Sequence, residues 1–428
     1  MRYHNRSWDL GIFEQVVRSY AHLQAPVSDL KGPGFNILGD HFSPVTALLA
    51  PFYRLFPTPV TLLVAQAALF ALAVVPVTRA AAALLGRGAG VAIGAAFGLS
   101  FGIQRAVDFD FHEIAFAVPL LAFALEAVVR ERWRAALLLA LPLLLVKEDL
   151  GLTAAALAIV VALRARERRP GMVVPALAVA LSAALACAVT LTVVIPAFNT
   201  GGGYDYWSKI GEDGGGVAAG ALLDGAGEKA RTLLWLLVPT TGLLALRSPL
   251  ALVALPTLAW RFASREPHYW STDWHYDAVL MPVAALALTD ALARARLSPR
   301  PWLRTYAHHL PAAVLAAAAA LATTLPTAAL ASAETYRPGP SAEAGSRVLA
   351  AVPDGATVAA NVRPISHLTQ RCRVFWIGGS GEVVPRYVAY YDPDQTAKSL
   401  TAYAERLYPG AGGWSVEAEG GGYWVLRR

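Results

Sequence analysis

The sequence predicts a mainly α fold: a polytopic transmembrane helix bundle carrying a small C-terminal extracytoplasmic α/β domain. Three observations lead there. Of 428 residues, 56% are hydrophobic and only 15% charged, against about 25% charged in soluble domains. Stretches such as TLLVAQAALFALAVVPVT and LPAAVLAAAAALATTLPTAAL lack the polar face that a buried helix of a soluble protein presents. After about residue 334 the apolar runs give way to short segments separated by Gly, Pro and Asp.

Residues 1–43 are polar and hold no run long enough to cross a bilayer. Within them DLGIFEQVVRSY predicts a helix over 9–20 with Asp9 as its N-cap. Segment 44–56, interrupted by Pro44 and Pro51 and followed by Pro57, reads as an interfacial helix. The bundle occupies 44–333 and holds ten apolar runs: 58–79, 89–106, 114–129, 135–146, 150–163, 172–195, 231–246, 249–262, 277–293 and 308–330. Arg79 and Arg87, then Arg130, Arg132 and Arg134, then Arg164, Arg166, Arg168 and Arg169, then Arg247, and finally Arg294, Arg296, Arg300 and Arg304 all fall on one side if the runs alternate. By the positive-inside rule that side is cytoplasmic. This topology absorbs the net charge of +6, so nucleic acid is not an expected partner. The N-terminal segment then lies outside without a signal peptide before it, and the expectation is a further span upstream of Met1.

Runs 135–146 and 150–163 have about a dozen apolar residues each, against roughly 20 for a span. They read as a hairpin whose tip, Lys147-Glu148-Asp149, lies at membrane depth, where charges face water or one another and are usually functional. After the linker YRPGPSAEAGS, residues 341–428 read as short strands and a helix in a soluble external domain. Its GGSG lacks the Lys-Ser/Thr of a phosphate loop. Cys187 and Cys372 imply neither a disulfide framework nor a metal site.

Four external stretches are chemically unusual. NRSWDLGIFEQ supplies Asp9, Glu14 and Gln15; GDHFSP supplies Asp40 and His41 where the chain enters the membrane. In DFDFHE, a strand alternation places Asp108, Asp110 and His112 on one face, a set suited to a divalent cation such as magnesium or manganese. REPHYWSTDWHYD supplies Arg265, His268, Trp274 and His275, suited to a sugar ring and a phosphate, or to an aromatic interfacial belt. Each has a plainer reading: a helix cap, a solvated loop, a Lys-carboxylate pair closing a turn. If they converge on one outward cavity, it suits a lipid-phosphate donor from the membrane and a polar acceptor from outside. A carboxylate base and cationic groups for a leaving phosphate are what such a transfer needs.

DLGIFEQ, HFSP, DFDFHE and KEDLGL, in this order, resemble the bacterial membrane proteins of domain-of-unknown-function family 2079, grouped with the GT-C glycosyltransferases. The resemblance covers most of the chain. It implies a GT-C-like bundle that takes sugar from a polyprenyl-phosphate donor to a cell-envelope glycan or protein acceptor. It places Asp9 as base, in the first external loop, with Asp110 or Glu113 as a second acidic site. Lys147 or Arg265 would hold the lipid phosphate, positioned by Glu148 and Asp149, and the external domain would recognise the acceptor. The rival is a membrane transporter or lipid-handling protein, in which charges at membrane depth are equally expected; a third reading is a scaffold that binds cell-wall components. Inverted repeats would favour the transporter, and the sequence shows none.

Overall fold

A computed structural model describes residues 7–209, 223–410 and 412–428. Part of the predicted external loop 196–230 and residues 1–6 of the N-terminal segment lie outside these. Among the described residues, five helices are long and apolar enough to cross a membrane: Pro59–Leu85, Arg87–Phe109, Pro170–Phe198, His275–Ala295 and Pro301–Ala322. They match five of the ten predicted runs, four of them extended and the last shifted toward the N-terminus, from 308–330 to Pro301–Ala322. The other runs form shorter helices, including Ala117–Val129, Leu150–Arg168 and Ala226–Thr241. His275–Ala295 is the central helix, 83% buried, whereas Pro170–Phe198 is only 22% buried and turns most of its apolar surface outward. Outward apolar surface is stable only in lipid. The interfacial reading of 44–56 fits short turns at Pro44–Leu49 and Ala50–Leu55 that leave Leu48, Phe52, Leu55 and Phe56 exposed.

The arginines gather at one end. Arg79 and Arg130 both pair with the buried carboxylate of Glu126. Arg164 and Arg294 both pair with Asp290, and Arg294 also donates to the Arg247 carbonyl. The loops that the positive-inside pattern assigned to one side are thus tied together by shared acids.

At the other end stands a five-stranded sheet of order β2-β1-β3-β5-β4, with β1 (Thr357–Ala360), β2 (Arg373–Trp376), β3 (Tyr387–Tyr391), β4 (Ser415–Gly420) and β5 (Tyr423–Arg427). β1 runs parallel to β2 and β3, and β5 is antiparallel to β3 and β4. RVLAAVP, expected as a strand after the linker, instead closes a helix, Pro340–Leu349. Proline at its first turn and Ala342, Gly345, Val348 and Leu349 on one buried face give it helical periodicity, which the linker-like composition concealed.

Helix α1, Trp8–Ala21, joins the two bodies. Leu10, Phe13, Val17 and Ala21 belong to the core of the bundle, while Ile12 and Val16 belong to the core beneath the sheet. A Cβ at Gly11 would stand 2.1 Å from the Ile365 side chain, so glycine lets α1 lie directly against the sheet domain. The predicted cap is corrected: Ser7 occupies the N-cap position, and its hydroxyl donates to the Val362 carbonyl at 2.5 Å. Asp9 instead lies one residue into the first turn, at the positive end of the helix.

Candidate functional site

Each motif residue on α1 has its own direction, because successive side chains turn by about 100°. Leu10 donates its backbone N–H to Asp110 Oδ2 at 3.0 Å, which pins the start of the helix to the bundle. Glu14 and Gln15, expected to bind substrate, face away from any cavity. Tyr53 donates to Glu14 Oε1 at 2.9 Å and the Thr369 hydroxyl donates to its other oxygen. Gln15 donates to the Val374 carbonyl at 2.8 Å and accepts from Ser28 at 2.9 Å. Gln15 fastens α1 to β2, and Glu14 ties it to Tyr53 of the bundle and Thr369 of the sheet domain.

Burial pushes Glu14 up to about 7, against the opposing hydroxyl donors. The folded chain therefore holds a proton that the unfolded chain has released, and the resulting stabilisation is full below the ordinary carboxylate range and lost as pH rises through about 7. Thermal unfolding of the wild type is expected to fall from about pH 5 to about pH 8, and Glu14→Gln should flatten that slope. An unchanged slope in the variant would remove Glu14 as its source.

Asp9 faces a cavity of roughly 1330 Å3, open solvent at its mouth included. The same cavity is lined by Asp40, His41, His112, Lys147, Glu148, Asp149 and His275, so with Asp9 five separate stretches of sequence meet there. Most of the charges are already paired. His41 Nδ1 meets Glu148 Oε1 at 2.7 Å, and Glu148 also accepts from the Phe42 amide at 3.1 Å and the Tyr204 hydroxyl at 2.9 Å. Burial and Lys147 would discharge His41, but Glu148 and Asp40 outweigh them and hold its imidazole above the ordinary value. Lys31 pairs with Asp40 at 3.1 Å. Lys147 lies 3.2 Å from Glu113, which His112 approaches to 2.5 Å.

Two groups stand apart, besides Asp149, which has a buried carboxylate oxygen without a hydrogen-bond partner among the described residues. The Asp9 carboxylate has no hydrogen-bond or ion-pair partner among the described residues, and burial raises its pKa against the pull of His112. Lys209 has no carboxylate partner among them either; its ammonium lies 4.2 Å above the Tyr206 ring and 3.4 Å from the Tyr269 hydroxyl. Burial lowers its pKa. Beside these, His275 stacks on His112 with centroids 3.9 Å apart, and neither of its buried ring nitrogens has a protein partner.

Several expected site residues lie elsewhere. Asp110 and Glu113 are buried behind the cavity wall. Burial, outweighing the Leu10 and Phe111 amides, pushes Asp110 up to about 8. The cation set is corrected: residues 101–109 are helical, not extended, so Asp108 is exposed while Asp110 and His112 are buried. Among the described residues no three of His, Cys, Asp and Glu stand close enough to hold a metal ion. Arg265 does not line the cavity; its amide donates to the Lys209 carbonyl at 2.9 Å. His268 lies 3.5 Å from Glu266, and Trp274 packs edge-on to Phe109, both outside the lining. Glu148 and Asp149 do not position Lys147 by direct contact: Glu148 is spent on His41, and Asp149 has a buried oxygen without a partner.

Sequence reasoning missed Lys31, Tyr204, Tyr206 and Lys209. The run YDYWSK, 204–209, carries the same aromatic-and-basic signature as REPHYWSTDWHYD and was the signal available. It also missed Arg261, which is fully buried, bonds Asp277 at 2.8 Å, and donates to the Tyr269 and Ser271 carbonyls at 2.8 and 3.0 Å. Arg261 thereby shapes the loop that forms the aromatic wall.

The cavity also has an apolar side, where Leu152, Cys187 and Leu191 line it from the lipid-exposed helix Pro170–Phe198 and its neighbour Leu150–Arg168. Comparison with known proteins adds four findings. The model of the family described as Predicted membrane protein (DUF2079) matches residues 4–423. The fold is similar to the crystal structure of ArnT from Cupriavidus metallidurans bound to undecaprenyl phosphate: 98% of this chain aligns with 93% of that one at TM-score 0.58 and 15% identity. The apo state of the same ArnT aligns over 97% and 92% at TM-score 0.52 and 15% identity. Among curated proteins none matches in sequence. At this identity the likeness to ArnT is one of fold, the GT-C-like bundle expected from the sequence.

Proposed function

The chain belongs to the DUF2079 family of membrane proteins, and from its ArnT-like fold and acid-lined cavity we propose that it is a GT-C-type glycosyltransferase that moves a sugar from a polyprenyl-phosphate donor to an extracytoplasmic acceptor. The observation that carries this reading is Asp9: a cavity-facing carboxylate with no hydrogen-bond or ion-pair partner among the described residues, in the first turn of the helix that joins the bundle to the sheet domain. A raised carboxylate pKa suits a general base better than a fully solvated one.

In this reading Asp9 takes the proton of an acceptor hydroxyl. The freed oxygen attacks the anomeric carbon of the sugar, the bond from that carbon to the phosphate oxygen breaks, and the lipid phosphate departs with the extra negative charge. Lys209 and Lys147 face that charge, and the open ring nitrogens of His275 donate to or orient the phosphate. The prenyl tail lies along Leu152 and Leu191, and the phosphate lies deeper, beneath Tyr206 and Tyr269. Asp110 acts through α1, by holding the Leu10 amide and so the position of Asp9. The arginine-rich end faces the cytoplasm, and the sheet domain faces outward.

The test is mass spectrometry of lipid-linked sugars and envelope glycans in a deletion strain. One polyprenyl-phosphate sugar should accumulate and one envelope glycan or glycoprotein should lose a sugar. Unchanged pools of both would sink the reading.

A further inference from the structure

A second, outer groove of about 730 Å3 lies between α1 and the sheet domain, lined by Trp8, Leu30, Lys31, Val362, Trp376 and Gly379. Trp8 and Lys31 line the inner cavity as well, so groove and cavity meet across these two side chains. Trp8 is also the residue before Asp9. The two indoles form the wall of the groove, edge to face at 4.9 Å and 82°.

We propose that this groove is the acceptor's port and that it binds a carbohydrate, with one sugar ring seated on the Trp8–Trp376 pair and the next hydroxyl delivered to Asp9. The proposal rests on the transferase reading and adds to it the chemical class and the route of the acceptor.

Charge argues for a neutral, hydroxylated occupant. Lys31 is matched by Asp40 at 3.1 Å, and on the nearby rim Arg373 is matched by Asp29 at 2.8 Å. A phosphorylated headgroup or a charged peptide would find no unmatched charge in the groove. The indoles, in contrast, offer apolar faces and two open donors: neither the Trp8 nor the Trp376 ring N–H has a protein acceptor among the described residues. Apolar faces with a few placed donors are what a pyranose presents to and requires from a site, since its C–H face is apolar and its hydroxyls ring the edge. The location agrees. Trp376 ends β2 of the outer domain and Trp8 begins α1, so a chain held there approaches Asp9 from outside, opposite the apolar side at Leu152 and Leu191.

The experiment uses the full chain in lipid nanodiscs on an array of bacterial envelope oligosaccharides, with undecaprenyl phosphate binding followed in parallel by native mass spectrometry. The wild type should retain a class of neutral glycans, and Trp376→Ala should lower that retention roughly tenfold or more while undecaprenyl phosphate binding stays unchanged. Trp376→Phe keeps an aromatic face but removes the indole N–H together with its five-membered ring, and should fall between the two. Equal glycan retention by all three proteins, no retention of any neutral glycan by the wild type, or retention of phosphorylated glycans alone overturns the proposal. Failure of the wild type to bind undecaprenyl phosphate, with glycan retention intact, overturns the donor assignment instead and leaves the port standing.

Discussion

In the Asp9→Asn variant sugar transfer is expected to fall by about 10²- to 10⁴-fold, the usual share of a general base, with the fold and donor binding unchanged. The amide keeps the size of the side chain and its place in the first turn of α1, and Asp9 makes no hydrogen bond or ion pair among the described residues for the substitution to break. Burial raises the carboxyl above its ordinary value, so the acid limb of the rate profile should be displaced upward from that of a solvated aspartate. The rate should then rise with pH through that limb as the base loses its proton. Transfer from a radiolabelled polyprenyl-phosphate sugar, measured beside undecaprenyl phosphate binding, separates chemistry from occupancy. Full activity in the variant would remove Asp9 from the mechanism.

Arg261→Leu is expected to give the largest loss of stability. Arg261 and Asp277 are both fully buried and meet at 2.8 Å. Removing one partner of a buried pair strands the other charge, at about 3–5 kcal/mol. Here two further carbonyls, of Tyr269 and Ser271, would lose their donors. The loop they belong to carries Tyr269, against which Lys209 rests, so donor binding should weaken together with the fold. Thermal unfolding in detergent reads the first effect and native mass spectrometry the second. A second substitution, Asp277→Asn, should recover part of the stability, because it removes the stranded charge. A variant as stable as the wild type would show that the pair holds nothing.

The bundle was legible because a lipid solvent leaves a coarse mark: runs such as Pro59–Leu85 are apolar all round, and Arg79 or Arg294 marks their ends. The convergence of Asp9, His41, His112 and Lys147 was also legible, since isolated charges beside apolar runs have few places to go. The local pattern in DFDFHE misled, because alternation over five residues suits a strand, whereas the preceding helix runs on to Phe109 and turns Asp108 outward. Arg261 gave no warning; inside LPTLAWRFA it looks like one more arginine at the end of an apolar run, and only its distant partner Asp277 explains it. Glu14 looked like chemistry because it is a second carboxylate in the same motif as Asp9, and the side on which a helix meets a second domain is not written in the helix itself.

Helix α1 is held at once by Leu10 and Phe13 on one side and by Ile12 and Val16 on the other. It behaves as a beam clamped to two foundations, and the Asp9 carboxylate rides near its tip. The outer module is for that reason no detachable accessory. Tilting it by even a small angle would shift Asp9 relative to the bundle, so under the proposed function mechanical load on the module, from a tethered glycan or a fused tag, is expected to change turnover.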